Sequence, residues 1–427
     1  MTAATARTGP ARGRSTVTPV VTGIGVVAPN GVGTAEYWTA TLRGRSGLGR
    51  ISRFDPAGYS TRIAGEVDAA VGERLSGRML PQTDHMTRLS LLASDEALAD
   101  AHADPANMAE YAAGVVTAAS GGGFEFGQKE LQALWSQGGS YVSAYQSFAW
   151  FYPVNTGQIA IRHGMRGPGS ALVAEQAGGL DAVAKARRRV RDGTALMLTG
   201  GVDGSLCPWS LLCMTRSGRL SRTEDPKLAY RPFDLRADGY VPGEGGALLV
   251  IEDPVAARER GVTDPYGEIA GYAATFDPAP GRGGEPGLRR AIETALADAG
   301  IGPAEVDVVF ADAVGEPESD RLEAETLAAV FGPRGVPVTA PKTMTGRLLG
   351  GGAALDLATA LLAIRDSVIP PTIHNGHNSF AEAIDLVTDS PRQANLRTAL
   401  VVARGYRGHN SALVVRTADE FRKGTQS

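Results

Sequence analysis

The sequence predicts an α/β fold built as two successive halves of similar order. Three observations carry this. Uniformly apolar runs such as TALMLTGG (194–201) and GGALLVIED (245–253) read as strands buried on both faces. Segments with apolar residues at helical spacing alternate with them. From about residue 266 the alternation begins again. In the first half, VTPVVTGIGVVAPNG (17–31) reads as an opening strand ended by an Asn-Gly turn. RLSLLASDEALADA (88–101) has helical spacing, YAAGVVTAASGGG (111–123) is a strand with a Gly-rich turn, and FEFGQKELQALW (124–135) starts a helix. SALVAE (170–175) is a strand, and GGLDAVAKARRRVRDG (178–193) a helix whose cationic last turn and Gly193 suit the negative end of its dipole. In the second half, YGEIAGYAA (266–274), VDVVFADA (306–313), TALVVARG (398–405) and SALVVR (411–416) read as strands. GLRRAIETALADAGI (287–301), DRLEAETLAAVF (320–331) and the long apolar GGAALDLATALLAIRD (351–366) read as helices. Such alternation places helices over buried sheets, and the repeated order points to a duplication.

Bulk properties narrow the function classes. A chain of 427 residues, 43% hydrophobic, can bury a large core. A net charge of −4 does not favour nucleic acid as a partner. Fifty-five glycines in clusters between periodic segments indicate tight turns and close backbone contacts. The two cysteines, Cys207 and Cys213 in CPWSLLC, fit neither a zinc knuckle nor a redox pair and read as buried free thiols of a reducing compartment. Residues 1–16 are polar, Arg-bearing and lack an apolar core, so a disordered tail is expected there and not a signal peptide. No apolar run reaches membrane-spanning length, and a cytoplasmic location without a membrane partner is the expectation. The domain reading is a tail (1–16), halves at 17–265 and 266–418, and a frayed tail at 419–427.

The stretch ALVAEQAGGLDAVAKARRR (171–189) is a strand, a tight turn and a helix. That geometry puts Gln176 at a helix N-terminus, among unpaired N–H groups and the positive dipole end. A Cys there would be activated. A carboxamide can only donate and accept hydrogen bonds. The six histidines (85, 102, 163, 374, 377 and 409) include none in a Gly-rich loop after a buried strand. His374 and His377 have metal-ligand spacing but no companion Cys or acidic cluster, so no metal is expected. His409 reads as support for a tight turn before the last strand. SGGGFEFG, GEGG and LLGGGAA match neither GxGxxG nor GxxxxGK[ST], and no nucleotide or other cofactor is expected. The run KARRRVR (185–191) reads as a solvated helix end, with attraction of an acidic carrier protein as its functional alternative.

From about Val17 to Arg416 the chain resembles the β-ketoacyl synthases of the thiolase fold, and most of all their chain-length factors, the ketosynthase-β subunits of type II polyketide synthases. VTGIGVVAPNG, GRLSRTEDPKLAYRPFDLRADGYVPGEGGALLVIED and KTMTGRLLGGGAALD resemble the family's opening, central and C-terminal segments. VAEQAGG, GGFEFGQKELQALW and YVSAYQSFAWFYPVNTGQIAIRHGMRGP resemble the chain-length factors in particular. The implied fold is thiolase-like, two α/β halves in an α-β-α-β-α core. Gln176 stands where an active synthase has its nucleophilic Cys. Val314, in the shortened loop VGEPESD, and Arg347 stand where it has its two catalytic His, while Lys342 and Asp356 match. Catalytic residues are therefore not expected. Without the imidazoles a malonyl thioester carbonyl lacks its donors, which argues against decarboxylation by Gln176. The resemblance implies an interface built on the strand before the elbow, with Gln176 polar, hydrogen-bonded and unreactive. The implied partners are a catalytic ketosynthase-α subunit, a transient acyl carrier protein and the growing polyketide chain. The implied tunnel gate is Phe124, Gly127, Leu131 and Trp209, whose modest size at 127 and 131 implies a comparatively long product. The alternatives are an active thiolase-fold acyltransferase using Cys207 or Cys213, and a structural scaffold without contact to the chain.

Overall fold

The computed structural model describes residues 17–279, 286–374 and 377–424; the expected tail at 1–16 lies outside them. The first half contributes strands β1 (Val20–Ala28), β2 (Ala113–Ala119), β3 (Gly169–Val173), β4 (Leu196–Asp203) and β5 (Gly245–Glu252). The second contributes β6 (Gly267–Phe276), β7 (Val308–Phe310), β8 (Pro337–Thr339), β9 (Asp385–Leu386), β10 (Thr398–Arg404) and β11 (His409–Arg416). Their order across the sheet is β9-β8-β7-β10-β11-β6-β1-β5-β4-β2-β3, with Gly31–Val32 hairpinned onto β1; the turn is Pro29–Asn30, which corrects the expected Asn-Gly turn because Gly31 already pairs with Ala28.

The topology displays the duplication directly. From the centre outward the first half runs β1-β5-β4-β2-β3, with two antiparallel and then two parallel pairings. The second runs β6-β11-β10-β7-β8 with the same sequence of pairings. Two residue pairs, Val20 with Glu268 and Val21 with Gly267, join the half-sheets.

Three apolar clusters define the layers. The helices after the outer strands, α5 (Gly178–Arg191) and α9 (Gly352–Asp366), lie between the half-sheets in one shared core that includes Leu180, Val183, Leu357, Leu361, Val116 and Val401. They approach closely: a Cβ on Gly179 would stand 2.6 Å from the Ala354 nitrogen. Outside the first half-sheet lie α1 (His85–Asp100) and α4 (Val154–Arg162). Outside the second lie α7 (Gly287–Ala299) and α8 (Pro317–Phe331). This is the expected α-β-α-β-α stack. In both halves the outer helix rests on a glycine of the central strand. A Cβ on Gly25 would strike the carbonyl oxygen of Ala93 in α1, and one on Gly271 that of Ala295 in α7.

Two expectations at helix ends are corrected. Residues 419–424, expected to fray, form α10 (Asp419–Gly424), because Phe421 is buried with Val20, Ala257 and Ala418. The basic run of α5 is not uniformly solvated. Arg187 is buried and donates to Asp298 of α7 and to the carbonyl of Ala270, both at 2.5 Å. It ties the middle layer to the outer one.

Sheet edges differ. β9 has two residues and pairs on one side, a blunt end. β3 pairs on one side with β2 and is half-exposed along its length, with Val173 54% exposed.

The glycine contacts give a test. Gly25→Ala inserts a methyl against the helix backbone and is expected to cost about 1–3 kcal/mol or more. Gly49→Ala, with no atom within 4 Å of its Cβ position, is the control. A thermal midpoint that falls for the first variant and holds for the second is the expected result.

Candidate functional site

The turn between β3 and α5 carries Gln176. The side chain is fully buried, and the N-termini of α5 and α9 converge on it. Gly352 makes the room: a Cβ there would collide with the Gln176 amide. The expectation of a hydrogen-bonded carboxamide is corrected, since neither Oε1 nor Nε2 has a hydrogen-bonding partner in the protein. Its neighbour Glu175 accepts the Tyr406 N–H at 2.5 Å and lies 3.6 Å from Nε of Arg347.

Arg347 is the largest fully buried side chain. Its guanidinium faces the Asp312 carboxylate at 3.1 and 3.2 Å and donates to the Arg404 carbonyl at 2.5 Å. It also lies over the Tyr240 ring, 5.7 Å from its centroid. Burial alone would disfavour this charge. The carboxylates of Asp312 and Glu175 more than reverse that effect and hold Arg347 protonated well above its ordinary range. Burial likewise pushes Asp312 up, but Arg347 and Lys342 hold it below the usual carboxylate range.

The matched residues Lys342 and Asp356 form a buried pair at 2.8 Å. Lys342 also donates to the carbonyls of Ala311 and Asp312, at 2.6 and 3.1 Å. Val314 is buried in a cluster with Tyr230, Tyr240 and Val241. Its loop is held by two acids that sequence reading did not single out. Glu323 accepts the N–H groups of Asp312 and Ala313, and Asp320 those of Gly315 and Phe233. Burial, with the nearby Glu323 and Asp312 carboxylates, pushes Asp320 up to about 8. The signal was present as two acids three apart at the start of a predicted helix, in DRLE.

The four expected gate residues come together on α2 (Phe124–Gln137) and the start of α6 (Pro208–Thr215). Phe124 meets Trp209 edge-to-face, with ring centroids 5.2 Å apart. The Cβ position of Gly127 lies 3.7 Å from the Trp209 ring. Gln128 Oε1 accepts the Trp209 backbone N–H at 2.7 Å. Leu131 and Trp209 line a largely apolar cavity of about 600 Å³ with Gln132, Trp135 and Ser136. Phe124 lines a second cleft of about 270 Å³, which reaches Glu175, Tyr240, Arg219 and Tyr406 but not the buried Gln176. Asp84 anchors this helix by accepting the Phe126 N–H while also capping α1 through the Met86 N–H, both at 2.8 Å. Trp135, Trp150 (just after α3, Gln146–Ala149), Leu212 and, on β3, Val173 are exposed large apolar side chains. Exposed apolar side chains and an unpaired strand edge mark contact surfaces.

Of the other candidates, Cys213 lines the Phe124 cleft. Cys207 is buried and free; burial, with the Asp84 and Glu125 carboxylates, pushes its thiol up, the opposite of activation. Cys213 is free and exposed, which corrects the expectation of two buried thiols. Its position on the outer face of the short helix α6 accounts for this. Among the described residues no group of three or more His, Cys, Asp or Glu could hold a metal, and no helix is long and apolar enough to cross a membrane. His409 opens β11, with its ring stacked on Phe276 at 4.8 Å.

The duplicated five-layer fold, with its strand–elbow–helix, is that of the β-ketoacyl synthase class. Family models of the β-ketoacyl synthase N-terminal and C-terminal domains match residues 18–256 and 266–375. The tetracenomycin polyketide synthase ketoacyl synthase beta subunit of Streptomyces glaucescens is 61% identical over 401 residues, 93% of this chain and 98% of that protein. The chain belongs to the β-ketoacyl synthase family, on its ketosynthase-β branch. Among solved structures, the ishigamide ketosynthase/chain length factor is similar with a TM-score of 0.85 at 27% identity, covering 94% of this chain and 99% of its own. The AntDE:AntF complex, a type II polyketide synthase acyl-carrier protein with its ketosynthase bound to the hexaketide, is similar with a TM-score of 0.84 at 27% identity, covering 94% and 100%.

Two outcomes test the electrostatics. Arg347→Met leaves Asp312 buried and unpaired and is expected to destabilise by roughly 3–5 kcal/mol in denaturant unfolding, with much of the loss recovered in Arg347→Met/Asp312→Leu. For Asp320, a folded pKa of about 8 lies above the unfolded value of 3.8. Its favourable contribution is therefore complete at acid pH and is lost as pH rises from about 4 to about 8. Asp320→Asn should flatten the stability profile across that window; parallel profiles for variant and parent would refute the assignment.

Proposed function

We propose that this chain is a non-nucleophilic chain-length factor. It pairs with a catalytic ketosynthase-α subunit of a type II polyketide synthase, in the cytoplasm, and shapes the space into which the chain grows. The observation that carries this reading is the replacement at the elbow. A sealed carboxamide at Gln176, an isopropyl group at Val314 and a permanently charged guanidinium at Arg347 offer no thiolate to attack a thioester and no imidazole to move a proton. The partner supplies those groups, receives the acyl chain from an acyl carrier protein and extends it with malonyl units. Burial of Gln176 supports the further reading that it decarboxylates nothing, because its side chain is fully buried and does not line the Phe124 cleft.

The β3 edge and the exposed apolar side chains support the assembly. A strand with free N–H and C=O groups is satisfied by a second subunit adding its own edge. The gate residues support the measuring role. Filling a packed cavity beyond its volume costs about 1–3 kcal/mol, enough to stop one further extension. Gly127 and Leu131 lie one helical turn apart on one face, so larger side chains there intrude on the same volume. The small side chain at 127 fits a comparatively long product.

The test is reconstitution with the ketosynthase-α subunit, acyl carrier protein and malonyl donor. Gly127→Leu and Leu131→Phe are expected to shorten the product by one or more units, and intact-protein mass spectrometry to find acyl thioester on the partner and none on this chain. Product length indifferent to both gate variants favours a scaffold; acylation of Cys207 or Cys213 favours an acyltransferase.

A further inference from the structure

The basic run at the end of α5 has no part in the function proposed above. Its last turns wall a cleft of about 320 Å³, lined by Arg187, Arg188 and Arg191 of α5 and by Thr294 and Asp298 of α7. Gln176 precedes the other end of α5, so the helix length, about 20 Å, separates this cleft from the elbow. The charges here do not cancel. Asp298 is already engaged, by the Arg187 guanidinium and by the Tyr272 N–H. Asp192, also on the wall, lies 3.6 Å from a fourth guanidinium, that of Arg189. Arg188 makes no hydrogen bond or ion pair with a described residue. Arg191 donates from Nε to the neutral Val17 carbonyl at 3.0 Å. Burial, and then the Arg187 charge, pull Arg191 below its ordinary range, as befits a cation short of counter-charge.

The duplication supplies an internal comparison. Counted from Gly178 and Gly352, the first residues of α5 and α9, Arg187 and Arg188 correspond to Leu361 and Leu362, both fully buried. A helix in this layer therefore needs no cation at either position. The negative end of the α5 dipole favours basic residues in the last turn, but solvated side chains serve it equally and it does not call for two of them in a cleft.

We infer that this cleft is an anion site that takes a small dianion of the phosphate class, held by Arg188 and Arg191. A tetrahedral dianion presents oxygens to two guanidinium forks at once, whereas a carboxylate is satisfied by one. Two guanidiniums without carboxylate partners match its charge, and Thr294 places a hydroxyl on the α7 wall. Bound there, the anion bridges α5 of the first half to α7 of the second, beside the Arg187–Asp298 tie, and stabilises their packing by mass action. Free phosphate and a phosphate ester share this chemistry.

The experiment titrates inorganic phosphate, and separately glycerol phosphate, into the full-length chain, with its ketosynthase-α partner where the two co-purify, by calorimetry in chloride at constant ionic strength. One saturable site per chain is expected. Arg188→Gln and Arg191→Gln are each expected to weaken it about tenfold or more, the worth of one hydrogen bond to a charged group. Arg188 is exposed and unpaired, so its variant keeps the fold, and its result decides if the Arg191 variant does not fold. Equal affinity for the two ligands assigns the site to free phosphate, and tighter binding of glycerol phosphate assigns it to a phosphate ester; both uphold the inference. Absence of saturable binding to the parent, or affinity unchanged by Arg188→Gln, overturns it.

Discussion

The buried ion pair between Arg347 and Asp312 is the constraint around which the rest of this molecule is arranged. It fixes the loop after β7 at residue 312, the end of β10 through the Arg404 carbonyl, and the elbow through Glu175. These are the loops that meet beneath the candidate site. In a low-dielectric interior a guanidinium can be held so only when its opposite charges and carbonyl acceptors are all in place. Arg347 is a structural joint: its carboxylate partners hold it as a permanent cation.

That joint explains why the elbow persists without a nucleophile. The turn at Gln176 still has to hand the chain from β3 to α5, and α5 still has to pack on α9 across the Gly179–Ala354 contact. β3 is paired on one side and half-exposed along its length. The elbow thus fixes the position of an interface, and the gate on α2 lies within reach of it. The fold places an edge paired on one side at β3 and an apolar cluster at Phe124 and Trp209.

Much of this was legible in the residues. Strand and helix order and the duplication follow from apolar period. The four gate residues, placed by resemblance, do converge on one another. Other features were not legible. Glu175 and Asp312 read as ordinary acids in the sequence, because nothing in their spacing says that they meet around one guanidinium. Arg187 was taken with its solvated neighbours because a helix's buried stripe depends on what packs against it. The 419–424 segment was read as frayed because one Phe among charged residues carries no period, and burial beside Val20 decides its state. The unpartnered amide of Gln176 could not be read at all.

The sequence by itself determined the elements and their duplicated order, since periodicity is a local property. The tertiary structure decided which charges pair, which edge stays open and which side chains face the gate. Those are relations between residues separated by tens to hundreds of positions, and only the packing of two half-sheets around α5 and α9 brings them within hydrogen-bonding distance.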